Sequence, residues 1–327
     1  MSIGIQNIRE AAERLRGVTV KTPIHQNRYL NEQVGAKVYI KPECLQHIGA
    51  FKFRGAYNRL SQMDETQRAR GVVAFSSGNH AQGIALAAKL LGIKATIVMP
   101  TDAPLLKLEG TEQLGATIFP YDRTTESRED IAANIAMSTG ATLVPAFEDL
   151  DIIAGQGTCG LEIMEQLAAL DTVPDQVLIP CGGGGLLAGS STAVKAISPE
   201  TAVYGIEQEN YDDHLLSKRT GKRVRIDGSV PTMCDALMAT TPGEITWSIN
   251  SETVDDFLVV SEDNVAHAIS YAFRYLKLIV EPGGVVALAA LLANKLVVKD
   301  RTVAIVLSGG NIDRNTFLQC LEQYPSP

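Results

Sequence analysis

A repeating grammar limits this chain more than any other feature. Short runs of valine, isoleucine and other apolar residues alternate with stretches of helical periodicity. The runs cover residues 38–40, 71–75, 95–99, 116–119, 142–144, 176–179, 202–206, 257–260 and 303–307. They are short and continuous in apolarity rather than alternating, which marks strands buried on both faces. Strands of that kind belong to parallel sheets, whose crossovers need the intervening helices. The pattern therefore predicts an α/β fold with helices on both sheet faces. Residues 210–250 carry the weakest pattern, and no stretch reads as a linker or a low-complexity segment.

Several strand ends carry chemistry. Residues 176–179 lead into Gly182, Gly183, Gly184 and Gly185, followed by a helix of small residues. One or two glycines suffice for a turn, whereas four in a row let successive N–H groups close around an anion at a helix N-terminus. Gly183-Gly184-Gly185-Leu186-Leu187-Ala188 also fits a dinucleotide pattern, with Glu207 where a ribose-binding acid would stand. A nicotinamide-binding protein is thus an open alternative. No Gly-Lys-Ser/Thr is present, so a P-loop is not expected. Ser76-Ser77-Gly78-Asn79-His80 and Ser308-Gly309-Gly310-Asn311 end two further strands, and Gly155-Gln156-Gly157-Thr158 reads as a loop before a helix.

One lysine stands apart. In Gly49-Ala50-Phe51-Lys52-Phe53-Arg54-Gly55-Ala56, Lys52 lies between two aromatics and between two glycines. Apolar neighbours that desolvate an ammonium lower its pKa and free the amine, which can then hold an aldehyde as a Schiff base. A dinucleotide enzyme would leave this lysine and the Ser-Gly-Asn loop without work.

Composition narrows the class. With 327 residues the chain can bury a large core. A net charge of −8 argues against nucleic acid and anionic membranes as partners. The longest apolar run, residues 285–293, is too short to span a bilayer, and the first twenty residues suggest an amphipathic helix rather than a signal peptide. Five cysteines with no Cys-x-x-Cys indicate a reduced, cytoplasmic setting. Histidines 25, 47, 214 and 267 lack metal spacing and read as surface or packing residues.

The ordered set Ala-Phe-Lys52-Phe-Arg-Gly, Ser-Ser-Gly-Asn79-His, Gly-Gln-Gly-Thr158, the four glycines and Ser308-Gly-Gly-Asn311 resembles the fold-type II pyridoxal phosphate family over the whole chain. That family includes serine and threonine dehydratases, serine racemase and 3-hydroxyaspartate dehydratase. The resemblance implies two open, twisted, mostly parallel sheets with the cofactor between two domains. Residues 1–69 and 147–327 would form the large domain and 70–146 the small one, and the enzyme would be a homodimer.

The resemblance also assigns roles. Lys52 would be the Schiff-base lysine and the base for the substrate α-proton. Phe51 would pack on the cofactor ring, Asn79 would face the ring hydroxyl, and Gly182 to Gly185 would hold the phosphate. Ser308 would face the pyridine nitrogen. A hydroxyl cannot protonate the ring as a carboxylate can, so the electron sink is weaker and loss of a β-leaving group is favoured. Backbone N–H groups of Ser76, Ser77, Gly78 and Asn79 would bind the α-carboxylate.

Substrate choice follows from two positions. Ser77 resembles the second acid/base of the racemase and hydroxyaspartate group, and Arg128 resembles the ligand of a distal carboxylate. The implied reaction is dehydration and deamination of a β-hydroxy-α-amino acid, with 3-hydroxyaspartate expected and serine, threonine or racemisation of serine or aspartate as alternatives. Glu207, Tyr211 (through its carbonyl) and Asp213 resemble a site for Mg²⁺ or Ca²⁺. Ala50 departs from the usual serine of this family, and Cys234-Asp235-Ala236-Leu237 from Ala-Asp-Gly, which leaves the packing of Ala236 open.

Overall fold

The computed structural model describes residues 3–103 and 105–325. Its strands are β1 (His25–Gln26), β2 (Lys37–Pro42), β3 (Val72–Phe75), β4 (Ala95–Pro100), β5 (Thr117–Tyr121), β6 (Thr142–Leu143), β7 (Gln176–Pro180), β8 (Ala202–Gln208), β9 (Asp256–Val260) and β10 (Thr302–Leu307). Each of the nine strand-like runs of the sequence forms a strand here. The two-residue β1, exposed and antiparallel to β2, has no apolar signal and escapes sequence reading.

Two sheets result. One has the order β1-β2-β10-β7-β8-β9 and the other β5-β4-β3-β6. Apart from β1 all pairings are parallel, so the strand C-termini of each sheet point one way. The smaller sheet draws only on residues 72–143, while the larger takes strands from either side of that span in the chain. At the middle of the larger sheet Ile305 of β10 lies opposite both Ile40 and Leu178.

Helices cover both faces, as buried strands require. Helices Glu262–Tyr271 and Pro282–Leu292 build one core with β2, β7 and β10. Across the sheet, Leu150–Ala168 and Gly185–Ile197 build another with Ile179, Val203 and Val306. Helix Lys52–Ser61 joins the two halves, with Phe53, Ala56 and Leu60 buried together with Ile84 and Ile97 of the smaller unit and Ile152 of the long helix. Each such large side chain contributes about 1.5–3 kcal/mol on burial.

Residues 155–158 are not a loop. They lie inside helix Leu150–Ala168, which begins where the Asp149 carboxylate accepts N–H bonds from Asp151 and Ile152. Glycine normally weakens a helix by about 1 kcal/mol. Here a Cβ on Gly157 would stand 2.8 Å from the Gly189 carbonyl of the neighbouring helix. Close helix packing, not a turn, explains the glycine.

Candidate active site

Strand C-termini deliver the predicted loops to one place. A cavity of about 420 Å³ lies between the two sheets. Its wall includes Phe51 and Lys52, the loop after β3 (Ser76, Ser77, Gly78, Asn79, His80), the loop after β7 (Gly182, Gly183, Gly184, Gly185), and Ser308 after β10. Helices Lys52–Ser61, Asn79–Leu91 and Gly185–Ile197 all start there, so three N-terminal partial charges converge on the cavity.

Hydrogen bonds sew the lysine loop to the loop after β10. Ala50 and Gly309 form an antiparallel bridge, Phe51 N donates to Ser308 O at 3.1 Å, and Gly310 N donates to Gly49 O at 2.8 Å. Ala50 is fully buried in this seam.

Among the described residues the Lys52 ammonium has one hydrogen bond, from Nζ to the Ala146 carbonyl at 3.0 Å, and it lies 5.2 Å from the Phe51 ring centroid. Burial pulls its pKa down to about 8, against the opposing pull of Glu281. His80, behind it, is brought down to about 3 by burial and by Lys52, so it is neutral; its Nε2 bonds the Val144 carbonyl at 3.1 Å.

The glycine loop is open toward the cavity. No described residue accepts a hydrogen bond from the N–H of Gly182, Gly183, Gly184 or Gly185. Gly184 adopts φ +89°, and a Cβ on Gly183 would overlap the Phe147 ring at 2.3 Å. Four unspent N–H groups at a helix start fit a phosphate.

Around the nest after β3 the structure corrects the expectation. The Ser76 N–H is already used by the sheet, donating to Val98 O at 3.2 Å, because β3 pairing continues one residue past the strand. Gly78 N donates to the Ser76 hydroxyl at 3.2 Å. The N–H groups of Ser77 and Asn79 have no acceptor among the described residues. A carboxylate would meet these two rather than four.

Glu281, which sequence reading missed, anchors the floor. It accepts a bond from Asn79 Nδ2 at 2.6 Å, and Asn79 Oδ1 accepts from Asn311 Nδ2 at 2.7 Å. Burial, then repulsion from Asp235, raises Glu281 to about 7. A glutamate before a proline reads as an ordinary helix start, and nothing local marks it as a cavity residue. Ala236 lies in a short turn, Asp235–Leu237, and lines the cavity; Asp235 forms an ion pair with Lys107 across its mouth.

Arg128 sits on the rim. It is half exposed, with Nε bonded to Glu129 at 2.9 Å and its guanidinium over the Phe75 ring at 5.4 Å. Among the described residues the other N–H groups of its fork have no acceptor, so they are available to the cavity.

Glu207, Tyr211 and Asp213 lie outside the cavity wall. The Glu207 carboxylate accepts N–H bonds from His214 and Leu215, both at 2.9 Å, and so caps helix Asp213–Thr220. That turns it away from any ribose and removes the acid from the dinucleotide pattern. The Tyr211 hydroxyl donates to Gly228 O and Val230 O. Asp213 Oδ2 is buried with no hydrogen-bond partner among the described residues, and burial raises the Glu207 and Asp213 carboxyls to about 8. An orphaned buried carboxylate fits a cation. His214, expected at the surface or in packing, is fully buried beside them.

A family model described as pyridoxal-phosphate dependent enzyme matches residues 15–309. The chain belongs to that family. Among relatives in it, the L-threo-3-hydroxyaspartate ammonia-lyase of a Pseudomonas species is 44% identical over 313 residues, covering 96% of this chain and 97% of the relative. The L-threonine ammonia-lyase of Thermotoga maritima is also 44% identical over 313 residues, covering 96% of this chain and 77% of that protein. A solved structure of maize serine racemase superposes with a TM-score of 0.92 at 37% identity, covering 99% of this chain and 98% of that one. The family match replaces the nicotinamide alternative with pyridoxal phosphate, and the glycine loop, Phe51 and Lys52 line the cavity.

Proposed function

We propose that this enzyme dehydrates and deaminates L-threo-3-hydroxyaspartate to oxaloacetate and ammonia. The observation that carries the reading is a desolvated lysine in the cavity, near half-neutral at pH 8, facing unspent N–H donors with an arginine on the rim. When bound, pyridoxal phosphate supplies the electron sink that makes an α-proton removable.

The chain's own groups do the rest. Gly182 to Gly185 would hold the phosphate, Phe51 would pack on the ring, and the second Nδ2 proton of Asn79 would be available to the ring hydroxyl. The Ser308 hydroxyl would face the ring nitrogen without protonating it. Ser77 and Asn79 bind the α-carboxylate through N–H groups, and the Arg128 fork reads the distal carboxylate. Lys52 Nζ takes the α-proton, the resulting ammonium returns a proton to the β-hydroxyl so that it leaves as water, and the freed enamine takes up water to give the keto acid and ammonia.

The Ser77 hydroxyl supports a second reading, proton exchange from the opposite side and hence racemisation of serine or aspartate. We further assign residues 70–146 to a small domain and the remainder to a large one, and a divalent cation to Glu207, Asp213 and the Tyr211 carbonyl. A second copy of the chain as partner and a cytoplasmic location complete the proposal. Among the described residues no helix is long and apolar enough to cross a membrane.

The test compares keto-acid release from L-threo-3-hydroxyaspartate, serine and threonine, with chiral analysis of recovered substrate. Hydroxyaspartate should lead, and Arg128→Ala should cost it about 10–100-fold in kcat/KM, the worth of a charged hydrogen bond, while sparing serine. Preference for threonine that ignores Arg128→Ala would overturn the dicarboxylate assignment.

A further inference from the structure

The charges that line the cavity do not balance evenly. Its cations are Lys52, Lys107, Arg128 and Arg225, and its acids are Glu129, Asp235 and Glu281. Lys107 is paired with Asp235, and Arg128 Nε donates to Glu129 at 2.9 Å. Lys52 feels the field of Glu281. Arg225 is different. Nearby Arg223 is spent on the Pro242 carbonyl and on Glu244, both at 2.8 Å, whereas the Arg225 guanidinium has no hydrogen bond and no ion pair among the described residues.

An exposed arginine usually sweeps through solvent, but the backbone on either side of this one is pinned. Ile226 N donates to Thr240 O at 2.8 Å, and the Thr241 hydroxyl donates to Val224 O at 3.1 Å. Residues 238–241 are themselves cavity wall, directly after the turn Asp235–Leu237. Those bonds carry Arg225 to the mouth. The charge around it is of one sign: Lys218, Arg219, Lys222 and Arg223 precede it, in a chain whose net charge is −8. A local positive stretch in an acidic protein attracts anions to the place where it lies.

The two arginines of the cavity come from different parts of the fold. Arg128 opens the helix after β5 of the smaller sheet, while Arg225 follows helix Asp213–Thr220, which comes after β8 of the larger one. Glu129 already offsets part of the Arg128 charge, so a carboxylate held by Arg128 alone meets a pair that is nearly neutral in sum. Arg225 restores the net positive charge, and its planar fork suits a carboxylate.

We propose that Arg225 is a specificity-determining residue that joins Arg128 on the distal carboxylate of a dicarboxylic amino acid. The assignment rests on the dicarboxylate reading given above and adds the group that supplies the unmatched charge. Serine and threonine bring no second anion, and they leave Arg225 in water at no cost. Because the guanidinium is exposed, its effect is smaller than that of a buried charge pair and is screened by salt.

Wild-type, Arg225→Ala and Arg225→Lys holoenzymes are compared in keto-acid release from L-threo-3-hydroxyaspartate and from serine, at low and raised ionic strength. Inhibition by succinate is measured against butyrate, which has one carboxylate. Arg225→Ala should lower kcat/KM for hydroxyaspartate by about 3–10-fold, mainly through KM. It should lose a matching part of the preference for succinate, with serine turnover and the denaturation midpoint unchanged. Arg225→Lys should recover part of the loss, and the gap between wild type and Arg225→Ala should narrow as salt rises. If wild type prefers hydroxyaspartate and Arg225→Ala keeps that preference in full, this assignment fails and the dicarboxylate reading through Arg128 stands. An equal loss for serine also overturns it, since Arg225 would then shape the cavity for every substrate. A wild-type enzyme that favours neither hydroxyaspartate over serine nor succinate over butyrate overturns both readings.

Discussion

Two lysines close together in sequence show what burial does with and without partners. Lys41 on β2 is fully buried and donates to Thr22 O, Glu162 and Gln166 at 2.6–2.8 Å. Its neighbour Arg54 is equally buried and grips Glu43 and Glu162 with paired bonds of 2.7–2.9 Å. Burial alone would push the Glu43 carboxyl up, but Arg54, Lys41 and the Thr22 hydroxyl hold it below its usual value. Lys52 has a single carbonyl and an aromatic face instead, and its pKa falls. The first region spends its charge on structure. The second keeps an amine in reserve.

Substitutions can break this contrast. Lys52→Ala should lower keto-acid release by about 10²–10⁴-fold and abolish the lysine-linked visible band, while the denaturation midpoint of the cofactor-free protein holds or rises. Survival of that band would remove Lys52 from the centre. Arg54→Met should do the converse, costing about 3–5 kcal/mol in a denaturant titration by stranding Glu43, with the cofactor spectrum of the folded fraction unchanged. If Arg54→Met instead alters that spectrum at undiminished stability, the division of labour is wrong.

Proton linkage sharpens the comparison further. In the folded cofactor-free protein Lys52 loses its proton near pH 8, whereas an unfolded lysine keeps it to about 10.4. The unfolded chain thus binds more protons between those values, and stability should rise with pH across that window. Denaturation midpoints measured from pH 7 to 10 should show the rise in wild type and less of it in Lys52→Ala. Equal slopes would mean that Lys52 titrates normally. The smallest effect belongs to Glu281→Gln, which keeps an acceptor for Asn79 but removes the negative charge that supports the Lys52 ammonium. The midpoint for lysine-directed labelling at Lys52 should move below about 8; a shift upward would contradict the assigned influence of Glu281.

Much of this was legible from the amino acids because apolar runs and glycine loops have local physical causes. Lys52 follows directly on Phe51, whose ring its ammonium faces, whereas Phe53 turns into the core with Leu60 and Ile84; the four glycines announce an anion cradle without help from distant residues. Other features depend on contacts that no local pattern encodes. Gly157 reads as a loop until the backbone of Gly189 is seen against it. Glu281 looks like a helix start, and the N–H of Ser76 looks free until Val98 is paired to it. Arg225 meets the cavity only because its neighbours bond to Thr240 and Thr241.

The position of β10 has a consequence for how the molecule is made. It is last in the chain among the described strands, yet it fills the middle of the larger sheet, between β2 and β7. Until residues 302–307 emerge, those two strands have no common partner, and the seam from Ser308 to Gly310 that fixes the lysine loop does not exist. A ribosome-bound chain lacking them would hold Lys52 and the glycine loop on separately tethered pieces, with strand edges open to other chains. Competence to take up the cofactor should therefore arrive in one step when β10 pairs, with that strand as its keystone.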